Sequence, residues 1–281
     1  MPTVSPPRTL GIVVLVAAAL LGSAYTLGRS LITPVAPPDI TAPSGQPDVA
    51  DQPPVTSRPP QPTLRPTTPA EEEPPRDGTD EGGPYGTRMT TGTGQVALTF
   101  DDGPHPDYTP QALAALRAYR VTATFCLVGE NARAHPDLVR AIVAEGHTLC
   151  NHTWNHDVLL GSRSHQTIQA DLMRTNEAIR AAVPGARIAY FRQPGGAWTY
   201  PVVSVARSLG MVPLHWTVDP TDWRRPGAAS IAGTVTAGTV PGSIVLLHDA
   251  GGNRQGTVDA LYQILPNLTS RFHVTALPPD L

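Results

Sequence analysis

Two pairs of residues carry the chemical potential of this 281-residue chain. Asp101 and Asp102 stand side by side in Thr99-Phe100-Asp101-Asp102-Gly103-Pro104, directly after an apolar run. His152 and His156 lie four apart in His152-Thr153-Trp154-Asn155-His156. On one helical turn, or a tight helical start, that spacing puts both imidazoles on one face, where two nitrogens can share a borderline-soft divalent ion. Taken alone, such a pair also fits capping or packing histidines, and Asp-Gly after a strand also fits a plain turn. Adjacent carboxylates repel one another, and a metal separates their roles: one becomes an oxygen ligand and the other stays free as a base. Two histidines and one carboxylate leave positions open for water and substrate, the pattern of a catalytic rather than a structural site.

The elements that must position these residues alternate. Strand-like runs at 96–100, 122–128, 148–151, 188–192, 213–218, 243–248 and 272–277 are separated by helical patterns at 110–119, 136–145, 166–183, 201–209, 228–237 and 257–268. Pro110, Pro136 and Pro201 sit where a first-turn proline is tolerated, and Gly146 and Gly210 where a helix stops. Strand–helix alternation implies a parallel sheet with crossover helices, either doubly wound or barrel. About 185 residues is short against the roughly 250 of an eight-fold barrel. We therefore expect an α/β fold, a distorted, shortened (β/α) barrel of about seven parallel strands.

Polar residues fall where such a fold builds sites. Asp101 and Asp102 end the first strand, His152 follows the third, Arg192 ends the fourth, Asp219 and Asp222 follow the fifth, and His248 ends the sixth. The carboxyl ends of parallel strands converge on one face. Acids, histidines and an arginine at five such ends are hard to explain as surface decoration.

With these segments together, the chain resembles the polysaccharide deacetylase family, the NodB-homology domain of carbohydrate esterase family four, over residues 94–281. Five family motifs appear in order: the Asp101-Asp102 and His152/His156 segments, then Arg192-Gln193-Pro194-Gly195-Gly196, Asp219-Pro220-Thr221-Asp222-Trp223 and Leu246-Leu247-His248-Asp249. The resemblance implies Asp101 as catalytic base and Asp102, His152 and His156 as ligands of a metal, zinc with cobalt or manganese as alternatives. It implies that Arg192 pairs with Asp101 and aims it, that the Gly195 N–H serves the oxyanion, and that His248 is the general acid held by Asp222. Trp223 and Leu246 would line the substrate pocket, although both also fit core positions. Where the family often carries an aromatic, this chain has Gly195. The implied reaction is removal of acetyl groups from N-acetylglucosamine units of a glycan, peptidoglycan first and chitin oligomers second. De-O-acetylation of xylan is an alternative enzyme reading, and an inactive glycan-binding module is an alternative of another class.

Composition sets the surroundings. A net charge of −3 gives no basic footprint for nucleic acid, so none is expected as a partner. The apolar run Leu10–Leu27, with Arg8 before it and Arg29 after, reads within residues 1–32 as a signal-anchor or a signal peptide, the anchor favoured. Residues 33–93 are proline-rich and lack apolar periodicity, a disordered spacer. Together they imply an exported chain, membrane-anchored by its N-terminus or secreted, facing an acetylated glycan. Cys126 and Cys150, in runs expected to be neighbouring parallel strands, read either as a disulfide suited to that compartment or as two small buried hydrophobes.

Overall fold

A computed structural model describes residues 82–279 of the chain. The N-terminal apolar run and nearly all of the proline-rich spacer lie outside the described residues. Six strands form one parallel sheet: β1 (Ala97–Asp101), β2 (Thr124–Leu127), β3 (Thr148–Asn151), β4 (Ile188–Phe191), β5 (Val212–Pro213) and β6 (Ile244–His248). Their order is β5-β4-β3-β2-β1-β6, every pairing parallel. The connecting helices are α1 (Thr109–Ala118), α2 (Gly129–Ala134), α3 (Pro136–Ala144), α4 (His165–Ala182), α5 (Tyr200–Ser208), α6 (Ala228–Gly238) and α7 (Gln255–Arg271). Among the described residues no helix is long and apolar enough to cross a membrane.

Strands β1 to β4 are buried on both faces, as a sheet wrapped by crossover helices requires. The two-residue period divides the side chains. Leu98, Phe100, Phe125, Leu127, Leu149, Val245 and Leu247 face outward into the main core shared with the helices. Ala97, Cys126, Cys150, Tyr190 and Ile244 face inward into a second cluster, which Ala189 joins where a bulge shifts the register of β4 against β3. Within that interior the Cys126 and Cys150 sulfurs are bonded across paired positions of β2 and β3.

Two of the seven expected strands fold differently. Of the 213–218 run only Pro213 pairs with β4; the chain then leaves that edge and bridges β6 at Val218↔Val245, so it curls the sheet toward closure. Proline at 213 has no N–H with which to extend a ladder. The 272–277 run contributes one bridge, Val96↔Val274, rather than a strand. It turns under the barrel instead, where Thr148 donates to the Leu277 carbonyl and the Leu277 N–H bonds Thr124 Oγ1. The result is a curled half-barrel of six strands, a shortened and distorted (β/α) barrel. Residues 87–91 also run against it, with bridges Arg88↔Leu214 and Thr90↔Ser243.

Candidate active site

The inward phase of β1 and β6 decides what reaches the mouth of the barrel. Thr99, Asp101, Leu246 and His248 share the inner face with Ala97 and Ile244, and Asp101 is in register with His248 on one side and Cys126 on the other. Beyond Asp101 the chain turns at Asp102-Gly103-Pro104. Glycine is needed at 103, because a Cβ there would lie 2.5 Å from a carboxylate oxygen of Asp249.

His152 follows β3 directly. The segment from His152 to His156 is not a helical turn, as the spacing suggested, but an irregular loop with left-handed backbone at Thr153 (φ 66°) and His156 (φ 60°). Local hydrogen bonds outcompete a helix: Asn151 Oδ1 accepts from the Thr153 N–H and Asp171 Oδ1 from the Trp154 N–H. The Trp154 indole donates to Glu130 and lies between the guanidinium groups of Arg133 and Arg174, 4.7 and 3.6 Å from its ring. Helix α2, which sequence periodicity missed because only six residues form it, accepts this loop through Gly129 N–H to Thr153 O and Glu130 N–H to Trp154 O.

The loop brings His152 Nε2 to 3.5 Å and His156 Nε2 to 3.2 Å from Oδ1 of Asp102. That oxygen is buried and has no hydrogen-bond partner. The three side chains can converge on one ion, their ligand atoms all lying within 4.8 Å of one another. His152 Nδ1 hydrogen-bonds the Arg192 carbonyl at 2.8 Å, so Nδ1 is the protonated nitrogen and Nε2 offers its lone pair, the usual support of a metal-bound histidine. Burial, reinforced by the charge of His152, pushes His156 below the ordinary imidazole range, toward the neutral form a ligand needs. Burial alone would raise Asp102, but the imidazoles of His152, His248 and His156 around it outweigh that and hold it down at about 2. An orphaned anionic oxygen facing two imidazole nitrogens fits a divalent cation.

Asp101 lies beside this cluster, its Oδ2 3.7 Å from His152 Nε2. Its other oxygen accepts from Arg192 Nη1 at 2.7 Å. Arg192 is fully buried and spends its remaining donors on Thr99 Oγ1 and the carbonyls of Leu214 and His215. On the adjacent strand β6, His248 is held by Asp222, which accepts twice from it: from Nδ1 at 2.6 Å and from the backbone N–H at 2.9 Å. Thr257 adds a third hydrogen bond to the same carboxylate. Burial would lower His248, but the Asp222 hydrogen bond and charge, with Asp101 and Asp102, outweigh it and raise the imidazole to about 9. Asp219 does not reach His248; it accepts from the Thr221 N–H and shapes the turn before Asp222.

Asp101, Asp102, His152, His156, Gly195, Trp223, Leu246 and His248 line a single cavity of about 400 Å³, with Arg192 behind Asp101 and Asp222 behind His248. Trp223 is 44% exposed and presents its indole at the rim, while Leu246 is buried in the wall. The structure thus gathers every residue singled out at the strand ends. Sequence reasoning gave no role to Thr99, Thr257, Asp249 or Arg254. Thr99 and Thr257 hold Arg192 and Asp222 through one hydroxyl each, and the Asp249 carboxyl, bonded to Thr109, packs under the Gly103 turn; no spacing pattern announces such contacts. Arg254 did carry a signal, because a basic residue at the start of α7 opposes the helix dipole.

A shortened parallel barrel with acids, histidines and an arginine at the carboxyl ends of its strands has the build of a barrel enzyme. Comparison with known proteins narrows this. The polysaccharide deacetylase family model matches residues 88–214. A chitooligosaccharide deacetylase of Sinorhizobium fredii is 40% identical over 204 residues, which cover 69% of this chain and 94% of that protein. A peptidoglycan-N-acetylglucosamine deacetylase of Bacillus cereus is 39% identical over 175 residues, 62% of this chain and 81% of that one. Among solved structures, a family 4 carbohydrate esterase from Streptomyces lividans in complex with acetate aligns with a TM-score of 0.61 at 30% identity, covering 66% of this chain and 94% of that one. The chain belongs to the polysaccharide deacetylase family, carbohydrate esterase family four.

Proposed function

We propose that this protein is an exported, metal-dependent N-deacetylase of N-acetylglucosamine-containing glycan, with peptidoglycan the favoured substrate and chitin oligomers the second. The observation that carries this reading is the placement of two separately held groups in one cavity with the Asp102/His152/His156 cluster: Asp101 on Arg192, and His248 on Asp222. A divalent ion held there, zinc in our reading with cobalt or manganese as alternatives, would supply polarisation of the acetyl carbonyl and an acidified water.

The chain's own residues do the rest. Asp101, aimed by Arg192, accepts the proton of the attacking water. The N–H of Gly195, at the cavity edge, serves the oxyanion that develops as the carbonyl carbon becomes tetrahedral. His248 then delivers its proton from Nε2 to the departing nitrogen, because its Nδ1 is engaged by Asp222. An amine is a poor leaving group, and its C–N bond breaks only once nitrogen is protonated. A buried imidazole held cationic near neutral pH therefore suits an amide better than an acetyl ester. Trp223 offers a flat apolar face to a sugar ring, and Leu246 takes the acetyl methyl.

The names of the relatives, which speak of chitooligosaccharides and of peptidoglycan N-acetylglucosamine, support a polymeric N-acetylglucosamine substrate. Export and tethering rest on the Leu10–Leu27 run and the spacer behind it. The test is mass spectrometry of peptidoglycan fragments and chitin oligomers after incubation with the purified protein and zinc. Stepwise loss of acetyl groups is expected. Intact glycans, or deacetylation confined to acetylated xylan, would overturn the assignment.

A further inference from the structure

The mouth of the barrel contains a second buried arginine, with no part in the mechanism above. Arg254 is only 4% exposed and lines the cavity beside Asp102 and His248. Among the described residues, no carboxylate lies within ion-pair distance of it. Its guanidinium instead binds four backbone carbonyls. Nε donates to Ala250 O at 2.6 Å, Nη2 to Gly251 O at 2.9 Å, and Nη1 to Trp223 O at 3.3 Å and Asn253 O at 3.5 Å.

These carbonyls belong to two segments that are distant in sequence. One is the loop that leaves β6 immediately after His248. The other is the 3-10 turn Asp222–Arg224, flanked by left-handed backbone at Thr221 (φ 51°) and Arg225 (φ 59°). A turn bounded by two such residues persists only where its surroundings hold it. Two residues at the start of α7 do so from one side: Thr257 grips the Asp222 carboxylate and Arg254 grips the carbonyl of the next residue. The same guanidinium fastens the loop that carries Gly251 against Asp102. A planar fork of five donors can serve carbonyls in these several directions, whereas an ammonium is a point donor on a flexible stem.

We propose that Arg254 is a positioning residue that assembles the acid side of the active site, locking the Asp222 turn onto His248 by its carbonyl grip. It touches no reacting atom. The proposal rests on the reading of His248 as general acid, so the experiment separates the two. Arg254→Lys keeps charge and much of the aliphatic packing and loses the fork. The readouts are kcat and KM on an N-acetylglucosamine oligomer, and the proton NMR resonance of His248 Nδ1–H, which its 2.6 Å bond to Asp222 should place far downfield.

In the parent that resonance is expected, and His248→Asn should abolish both it and turnover. In Arg254→Lys we expect the resonance to move upfield or broaden and kcat to fall about 100-fold, the lower end of what a positioned acid contributes, with KM within about threefold. Arg254→Ala should do the same, with partial recovery of kcat on adding guanidinium ion. A Lys variant with native resonance and native kcat overturns the proposal. So does an equal loss in kcat and resonance that tracks only the unfolded fraction measured by circular dichroism. If His248→Asn stays active while the Arg254 variants shift the resonance, the acid assignment fails and the positioning stands.

Discussion

Arg192 donates from Nη1 to Oδ1 of Asp101 at 2.7 Å, and neither side chain has appreciable contact with solvent. The pair spans the barrel from the end of β4 to the end of β1, with Thr99 sharing the same guanidinium. The orientation of Asp101 is therefore set by the sheet itself rather than by a loop.

Removing one partner of this pair should cost more than losing a surface contact. Arg192→Ala strands a buried carboxylate and should lower unfolding free energy by about 3–5 kcal/mol. Urea denaturation measures it. A loss below about 1 kcal/mol, typical of an exposed ion pair, would show that the interior position confers nothing.

His248 should titrate near pH 9 in the metal-free protein, well above the ordinary 6.5 of imidazole. Burial opposes this and Asp222 is the main cause of it, so Asp222→Asn should bring the value down. The sign for stability follows: a histidine raised on folding contributes fully below pH 6.5 and loses that contribution as pH rises toward 9. NMR titration of the ring protons checks both points. A parent value at or below 6.5 contradicts the assignment of Asp222 as its partner.

Gly251 has a left-handed backbone (φ 73°), and a Cβ there would collide with Oδ2 of Asp102. Gly251→Ala should displace that carboxylate from the two histidines and weaken zinc affinity about 10–100-fold, the usual effect of disturbing a ligand's support. Competition with a chromophoric chelator reads it. Unchanged affinity would mean that Asp102 is not held by this contact.

Asp249 is buried against Gly103, with Oδ2 accepting from Thr109 and Oδ1 without a partner. Burial raises its carboxyl to about 7 from 3.8. Between those values the unfolded chain is ionised while the folded chain keeps its proton, so stability falls as pH rises from about 4 to 7 and levels off above. Asp249→Asn removes this penalty. Its Tm advantage over the parent should grow from pH 5 to pH 8, and a constant difference would contradict the buried neutral acid.

How much of this was legible in the sequence differs from residue to residue. Alternating strand and helix patterns located β1 to β4 and β6 to within two or three residues, because a strand buried on both faces reads as an unbroken apolar run. The runs at 213–218 and 272–277 also carry apolar and β-branched residues, yet tertiary geometry turned one into a barrel-closing bridge and the other into a plug. The strand-end polar residues were readable because parallel topology converges them. The geometry of His152 and His156 was not: an i, i+4 spacing suggested a helical turn, and backbone N–H groups donating to the side chains of Asn151 and Asp171 chose a left-handed loop instead. Thr257 and Asp249 act through single hydrogen bonds over long sequence separations, which no local pattern encodes.

The central claim is the division of labour between neighbouring carboxylates, Asp102 holding an ion and Asp101 taking a proton. Acetate release from an N-acetylglucosamine oligomer, followed for parent and Asp101→Asn with zinc present and again after chelation, tests it most directly. Parent activity should be abolished by chelation and restored by zinc, and Asp101→Asn should still bind zinc but turn over about 10²–10⁴-fold more slowly. Chelator-insensitive acetate release, or full activity in Asp101→Asn, would contradict it.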